Sequence, residues 1–272
     1  ISRGNLWKFD LQSGLNSSNA ASAVKTSGTT PVPMAVLRDS TNRVQPVTTV
    51  PQVVPGLGSG YMVIFGTGKF LESGDAANTE TNAVYGIWDN LTNDVSDWQV
   101  GRAKLFARTF DAATNLTSGD TTFEFGSGST GTYRGWYVTR PRAGERVGVD
   151  PDTRFGYTAV NSLVPPVDCT VRGSGATMTF GNLYGNAESA RNYQTSGFLG
   201  RPRIVQIDLS PVDTYTYSTR TGTGRRDISI SSLPISSTGG AGDDPTLISG
   251  SRVTIKVPAG RVGWREIKNF GG

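Results

Sequence analysis

Short runs of apolar and aromatic residues recur along the chain, and turn-forming Gly, Pro, Asn, Asp and Ser separate them. The first run, residues 5–11, alternates apolar and polar side chains with the two-residue period of a strand that buries one face. About twelve runs are strand-like. They are 5–11, 51–54, 61–65, 84–88, 104–108, 123–125, 135–138, 155–164, 176–180, 203–209, 252–257 and 262–267. The pattern predicts an all-β protein with long loops and little helix.

Helical spacing is weak by comparison. The best candidate is 94–108, where a possible capping residue precedes three loosely spaced apolar residues, but Gly101 interrupts it. Residues 186–193 are compatible with one short turn. Residues 12–30 are predicted to form a loop. Residues 210–250 are predicted to form a loop-rich insertion or hairpin, which serves as a binding arm or as a long surface loop.

Glycine precedes tryptophan by one to three residues at several of these predicted strands. The pairs are Gly4/Trp7, Gly86/Trp88, Gly135/Trp136 and Gly263/Trp264. Such a device once per blade is typical of β-propellers, although aromatic residues favour strands in any fold. At the usual blade length the chain supplies about three to five blades. We expect residues 1–272 to be part of one propeller domain that needs sequence upstream of Ile1 to close its ring.

Composition and charge narrow the function classes. The chain has 35 Gly and 14 Pro, and its formal net charge of +4 is spread without long blocks of like charge. This pattern does not favour nucleic-acid binding. No apolar run reaches the roughly 18 residues of a membrane span. Cys169 is the single cysteine, so it has no partner for an internal disulfide.

Catalytic signatures are incomplete in the sequence. There is no histidine, which removes the commonest general base and a common metal ligand. Residues 56–60 and 66–69 resemble phosphate-binding loops but lack the required third glycine or the Ser/Thr after Lys69, so both are predicted to be turns. The Asp-rich stretch 89–94 lacks the central glycine of a calcium loop, and Asp94 with Asp97 offers too few oxygens for a hard cation.

Close acidic and basic groups are expected to be exposed. The acidic pairs are Glu72 with Asp75 and Asp243 with Asp244, which we predict to be loop acids rather than a glycosidase pair. The basic spots are Arg140/Arg142/Arg146, Arg201/Arg203 and Arg225/Arg226. They are suited either to an anionic polysaccharide or simply to solubility. No catalytic, cofactor-binding or metal-binding role is therefore assigned to any residue of the chain.

Several segments, in order along the chain, resemble the PilY family of type IV pilus proteins. Residues 4–11 resemble the strand that follows the family's calcium loop, and 51–71 resemble its most recognisable block. Residues 84–89 resemble the next strand, 135–147 a further block and 263–267 the family's ending. Residues 165–250 match least well, apart from Asp168-Cys169.

The resemblance implies the C-terminal region of a modified quinoprotein-like propeller, exported by a Gram-negative bacterium and located at the pilus tip or outer-membrane surface. It implies a non-enzymatic role in pilus assembly, twitching motility and adhesion. The implied partners are minor pilins or other tip subunits, the upstream part of the same protein, and a host or substratum surface. Calcium is implied for the full-length protein, at a loop upstream of Ile1. The alternatives are a quinoprotein dehydrogenase-like enzyme and a passive structural surface β-protein.

Overall fold

The computed structural model describes most of the first three quarters of the chain and a few later strands. The described residues are 4–9, 26–27, 29–91, 97–110, 122–129, 131–166, 173–186, 192–194, 197–207, 225–231, 234–235 and 252–256. In chain order the strands are β1 (Asn5–Leu6), β2 (Thr26–Ser27), β3 (Thr30–Pro31), β4 (Ala35–Val36), β5 (Gln52–Pro55), β6 (Tyr61–Gly66), β7 (Ala83–Asp89), β8 (Phe106–Arg108), β9 (Glu124–Phe125), β10 (Thr132–Tyr133), β11 (Gly135–Thr139), β12 (Asp152–Arg154), β13 (Tyr157–Val164), β14 (Ser174–Gly181), β15 (Asn192–Gln194), β16 (Phe198–Leu199), β17 (Arg203–Ile207), β18 (Arg225–Ser231), β19 (Pro234–Ile235) and β20 (Arg252–Lys256). Helical structure in this part of the chain is confined to 3₁₀ turns such as Ser73–Asp75 and Arg102–Lys104.

The first large sheet has the strand order β5-β6-β7-β11-β8. Its first four strands are antiparallel neighbours, and β8 adds a parallel edge from the insertion between β7 and β11. Almost every residue of β6 and β7 is buried because both faces of this sheet are covered. Val63, Phe65 and Tyr85 pack into one core, while Met62 and Ile64 pack into another.

Two further antiparallel sheets follow the first one. The second has the order β12-β13-β14-β15 and the third has the order β17-β18-β20. Strand β12 contacts both β5 and β17, so the first strands of the three sheets lie side by side. This succession of antiparallel sheets around neighbouring first strands is the arrangement of propeller blades. Within the described residues the sheets do not close into a ring.

Glycine and tryptophan pack against each other in the structure, but the two residues of each contact come from different strands or loops. Trp136 pairs with Gly86 of β7, and a Cβ added at Gly86 would overlap its indole ring. Gly185 (φ +67°) presses on the same indole from a later loop. Trp88 packs in the same way against the backbone of Gly60. These two indoles therefore fit against glycines that are distant in sequence, because a side chain at the glycine would occupy the space of the ring.

The all-β prediction with little helix is confirmed, and several boundaries change. The helix candidate at 94–108 is wrong over its described part, which holds a 3₁₀ turn and strand β8. Strands β2 and β3 form a small hairpin in the predicted loop 12–30. Residues 186–193 include the start of β15, and β18 and β19 lie within 210–250. Cys169 and residues 262–267 lie outside the described residues.

Candidate binding groove between the first two sheets

A groove of about 490 Å³ lies where the end of β5 meets the second sheet. Val54 and Pro55 of β5 form one wall. The turn between β12 and β13 forms the opposite wall, and the segment 181–186 that follows β14 completes the lining. We call it the inter-sheet groove. Its volume lies in the range of ordinary ligand sites, about 300–1,000 Å³.

The segment 181–186 is held by hydrogen bonds from buried side chains. Trp136 Nε1 donates to the Asn182 carbonyl at 3.1 Å, and Arg108 Nε donates to the Tyr184 carbonyl at 2.9 Å. Within the segment, Gly181 N donates to Asn186 O and Gly185 N donates to Gly181 O, both at 2.9 Å. Because Trp136 and Arg108 are almost fully buried, they give this wall a fixed backbone.

The wall opposite β5 is a tight two-residue turn, and its first residue is unusual for that position. Phe155 (φ +54°) and Gly156 (φ +84°) both have left-handed backbone conformations, as a type I′ hairpin requires. Asn, Asp or Gly ordinarily occupies the first position because a bulky side chain is strained there. Phe155 is nevertheless 53% exposed. Its ring therefore gains little from burial to offset the strain of its backbone.

The polar side chains of the groove are largely engaged within the protein. Thr158 Oγ1 lies 2.9 Å from Thr153 Oγ1 and donates to Asn182 Oδ1 at 2.7 Å. The charge on the lining is that of Arg154, whose side chain is 56% exposed. Arg154 shares the Asp152 carboxylate with Arg203, at 4.0 and 3.9 Å. The groove is thus apolar with a positive rim.

The predicted basic spot at 140–146 is mostly interior, which corrects its interpretation as a surface group. Arg140 and Arg146 are each 2% exposed, whereas Arg142 is exposed. Arg140 lies 3.8 Å from Glu145, and Ser162 Oγ donates to the same carboxylate at 2.6 Å. Burial lowers the pKa of Arg140, and the Glu145 carboxylate opposes that shift. These groups hold strands together rather than face a ligand.

Arg146 fastens the loop that follows β6. The three nitrogens of its guanidinium group donate to four backbone carbonyls at 2.5–2.8 Å. They belong to Lys69, Asp75, Asn78 and Gly144. Burial lowers the pKa of Arg146, while Asp75 and Glu80 act in the opposite direction. One side chain therefore closes the loop from Lys69 to Asn78 onto the segment before β12.

Only one acid of the pair Glu72 and Asp75 is exposed, whereas both were predicted to be exposed. Glu72 is exposed, but Asp75 is 4% exposed and caps the Ser73–Asp75 turn. The Leu71 backbone N–H donates to Asp75 at 2.8 Å, Glu72 N donates at 3.0 Å, and Lys69 Nζ lies 3.0 Å away. The hydrogen bond from Leu71, with those of Glu72 and Lys69, holds the pKa of Asp75 at about 2 although burial opposes it.

The Asp75 carboxylate is expected to make folding stability depend on pH in the acidic range. Because its folded pKa lies below the ordinary 3.8, it stabilises the protein above that value, and the contribution disappears as the pH falls towards 2. We expect Asp75→Asn to lower the free energy of unfolding at neutral pH, with the gap to the unmodified protein closing below pH about 4. Urea unfolding at several pH values measures this gap. Glu72→Gln, at an exposed position beside the same lysine, is the control. A gap that stays constant down to pH 2 would contradict the expectation.

The other predicted sites are structural where the structure describes them. Asp97 Oδ2 accepts a hydrogen bond from Arg134 at 3.4 Å, and Asp89 pairs with Lys8 at 2.6 Å. Asp94, Asp243 and Asp244 lie outside the described residues. Among the described residues, no group of three or more Asp, Glu or Cys is placed to hold a metal ion. Residues 56–60 form the β5–β6 turn, as predicted.

Arg201 and Arg203 are exposed as expected, whereas the side chains of Arg225 and Arg226 are not described. No local pattern of the sequence indicates the inter-sheet groove. The predicted strand over 155–164 is wrong for Phe155 and Gly156, which form a two-residue turn, and a glycine in second position is a signal for such a turn. In the described part of the chain, no helix is long and apolar enough to cross a membrane.

The succession of antiparallel sheets, with a groove between the first two, defines a β-propeller-type protein. Residues 2–122 match the family model described as the PilY1 beta-propeller domain. The crystal structure of the Pseudomonas aeruginosa PilY1 C-terminal domain has a similar fold, with a TM-score of 0.52 at 20% identity over 83% of this chain and 54% of that one.

Curated relatives agree with this assignment. The chain is 32% identical over 179 residues to the type IV pilus biogenesis factor PilY1 homolog of Xylella fastidiosa, which is 63% of this chain and 12% of the relative. It is 35% identical over 137 residues to PilY1 of Pseudomonas aeruginosa strain PAO1, which is 44% of this chain and again 12% of the relative. These comparisons support a PilY-type protein and confirm the resemblance that the motifs carry. The chain spans only a small part of these relatives.

Proposed function

We propose that this chain is part of a type IV pilus biogenesis factor that acts at the pilus tip or outer-membrane surface without catalysing a reaction. The observation that carries the proposal is the match of residues 2–122 to the PilY1 propeller model, together with relatives named as type IV pilus biogenesis factors. The proposed roles are support of pilus assembly, twitching motility and surface adhesion. The names of the relatives favour neither a dehydrogenase nor a passive surface protein.

The carboxylates of three acids are engaged in ion pairs within the fold, which supports a non-catalytic role for them. Asp75, Asp97 and Glu145 each lie beside a lysine or arginine. A general acid or base needs a carboxyl group free to exchange a proton with substrate. These carboxylates are committed to ion pairs within the fold, where they position loops and hold strands together.

The proposed partners are minor pilins or other tip subunits, the upstream part of the same protein, and a host or substratum surface. The second of these is supported by the sheets, which do not close into a ring in the described residues. A propeller that lacks neighbours leaves sheet faces and edges uncovered. Calcium, which the resemblance implies, stays an expectation for the full-length protein.

Deletion of the gene in the source bacterium tests the proposal. We expect loss of surface pili in sheared-pilin blots and loss of twitching zones on agar, both restored by the intact gene. Labelled antibody is expected to mark pilus tips or the cell surface. Normal piliation and twitching in the deletion strain would overturn the proposal. Turnover of an alcohol substrate by the purified protein after loading with quinone and calcium would favour the dehydrogenase instead.

A further inference from the structure

We propose that the inter-sheet groove binds a short peptide segment that carries an acidic side chain beside apolar ones, supplied by another pilus subunit. The inference rests on the proposed function for the source of the peptide. The existence of the site rests on the groove itself. Three features carry the argument: the apolar walls, the positive rim and the exposed ring of Phe155.

The walls fit side chains rather than a sugar or a nucleotide. Val54, Pro55 and Leu183 contribute apolar surface, and Tyr184 lines the same groove. Thr153 and Asn182 are joined through the Thr158 hydroxyl, so much of their hydrogen-bonding capacity is used internally. A sugar would need several available hydrogen-bond partners, whereas an apolar peptide side chain gains from burial alone.

The rim selects the charge of the occupant. Arg154 and Arg203 share the single carboxylate of Asp152, and both arginine side chains are more than half exposed. Asp152 also accepts a hydrogen bond from Ile204 N at 2.7 Å, so its carboxylate is partly engaged by the backbone. One carboxylate therefore faces two guanidinium groups, which leaves an excess positive charge beside the groove. A glutamate or aspartate of a bound peptide complements that excess, with the fork geometry that arginine offers to carboxylates.

Phe155 supplies the apolar anchor at the edge of the groove. The left-handed turn position disfavours a bulky side chain, and the ring is more than half exposed, so folding alone does not explain this residue. A ligand that covers the ring would give it the burial that the free protein does not. The Gly156 carbonyl accepts a hydrogen bond from Asn182 N at 2.9 Å, which ties this turn to the segment 181–186. The anchor is thus held on a rigid frame, which limits the entropy that binding must offset.

The experiment uses the purified protein and fluorescein-labelled peptide pools in a polarisation assay. The pools share apolar Val, Leu and Phe positions around a central residue, which is Glu in one pool, Gln in the second and Lys in the third. We expect the Glu pool to bind about tenfold more tightly than the Lys pool, with the Gln pool between them. Arg154→Glu is expected to reverse the order of the Glu and Lys pools. Arg43→Glu, at an exposed position outside the groove lining, is expected to leave the order unchanged.

Phe155→Asn separates binding from folding. Asparagine tolerates the left-handed turn, so the melting temperature is expected to stay the same or to rise by a few degrees. Binding of the Glu pool is expected to weaken about tenfold because the anchor is lost. A lower melting temperature with unchanged binding would show that the ring serves the fold, and it would overturn the role assigned to Phe155.

The remaining outcomes decide between occupants. Equal binding of the three pools, or an unchanged order in Arg154→Glu, would overturn the inference. A dimer in sedimentation that Arg154→Glu dissolves would overturn it in favour of a second copy of the chain. Failure of peptide binding together with loss of pili in the deletion strain would overturn this inference and leave the proposed function in place. Groove-dependent peptide binding with normal piliation in the deletion strain would overturn the proposed function. The groove would then be a peptide site in a protein of another class.

Discussion

Replacement of Arg146 by methionine is expected to lower the free energy of unfolding by about 4 kcal/mol. The guanidinium group donates hydrogen bonds to four backbone carbonyls, three of which belong to the loop from Lys69 to Asn78. Methionine keeps much of the side-chain volume but has no donor. The carbonyls would then lie without partners in a region that water does not readily enter. Urea unfolding followed by circular dichroism measures the change.

Arg142→Met is the matched control for this prediction. It removes the same charge four residues earlier, from an exposed side chain. Surface substitutions of this kind change stability by about 0.5 kcal/mol or less. Similar losses for the two variants would show that net charge matters and that the carbonyl contacts do not. Limited proteolysis adds a local measurement, since only Arg146→Met is expected to expose the Lys69–Asn78 loop to cleavage.

Gly86→Ala is expected to destabilise the protein by about 3 kcal/mol through overpacking. A methyl group at this position would overlap Cε2 and Nε1 of Trp136. The indole cannot move away because Gly185 presses on it from elsewhere, and its Nε1 is bonded to the Asn182 carbonyl. Relief of the clash requires β7 and β11 to separate. Thermal unfolding and the near-ultraviolet circular dichroism of the tryptophans report both effects.

Gly74→Ala is the control, because a Cβ at Gly74 meets nothing within 4 Å. There the loss of backbone freedom in the unfolded chain is expected to leave stability equal or raised by about 0.5 kcal/mol. The two variants therefore differ in sign. A neutral Gly86→Ala would contradict the close fit between this glycine and Trp136. Since Trp136 also holds the segment 181–186, Gly86→Ala is expected to weaken peptide binding in the groove as well.

The buried arginines show the limit of sequence-based prediction most clearly. Arg140, Arg142 and Arg146 form one basic spot in the sequence, yet the first and the last are interior and the middle one is exposed. Arginine is almost never buried without a partner, so the sequence alone predicts a solvated surface. Three of the four carbonyl partners of Arg146 lie 77, 71 and 68 positions away, where no local pattern reveals them.

The sequence does not predict the inter-sheet groove for a similar reason. Its walls come from β5, the β12–β13 turn and the segment after β14, which are more than a hundred residues apart at the extremes. The turn alone left a trace in the sequence, because Gly156 interrupts the strand-like run 155–164 near its start. Volume and lining depend on how two sheets meet. That meeting is set by long-range packing, which no single run of residues specifies.

The sequence by itself determined the strand period, the all-β class, the recurrence of glycine near tryptophan and the order of the family-like segments. These features depend on local alternation and turn chemistry, which each stretch of chain carries alone. Only the tertiary structure decided which glycine meets which tryptophan, which charges are interior and where the groove lies. Burial and ion pairing are properties of distant residues brought together, so their free energies exist only once the sheets have packed.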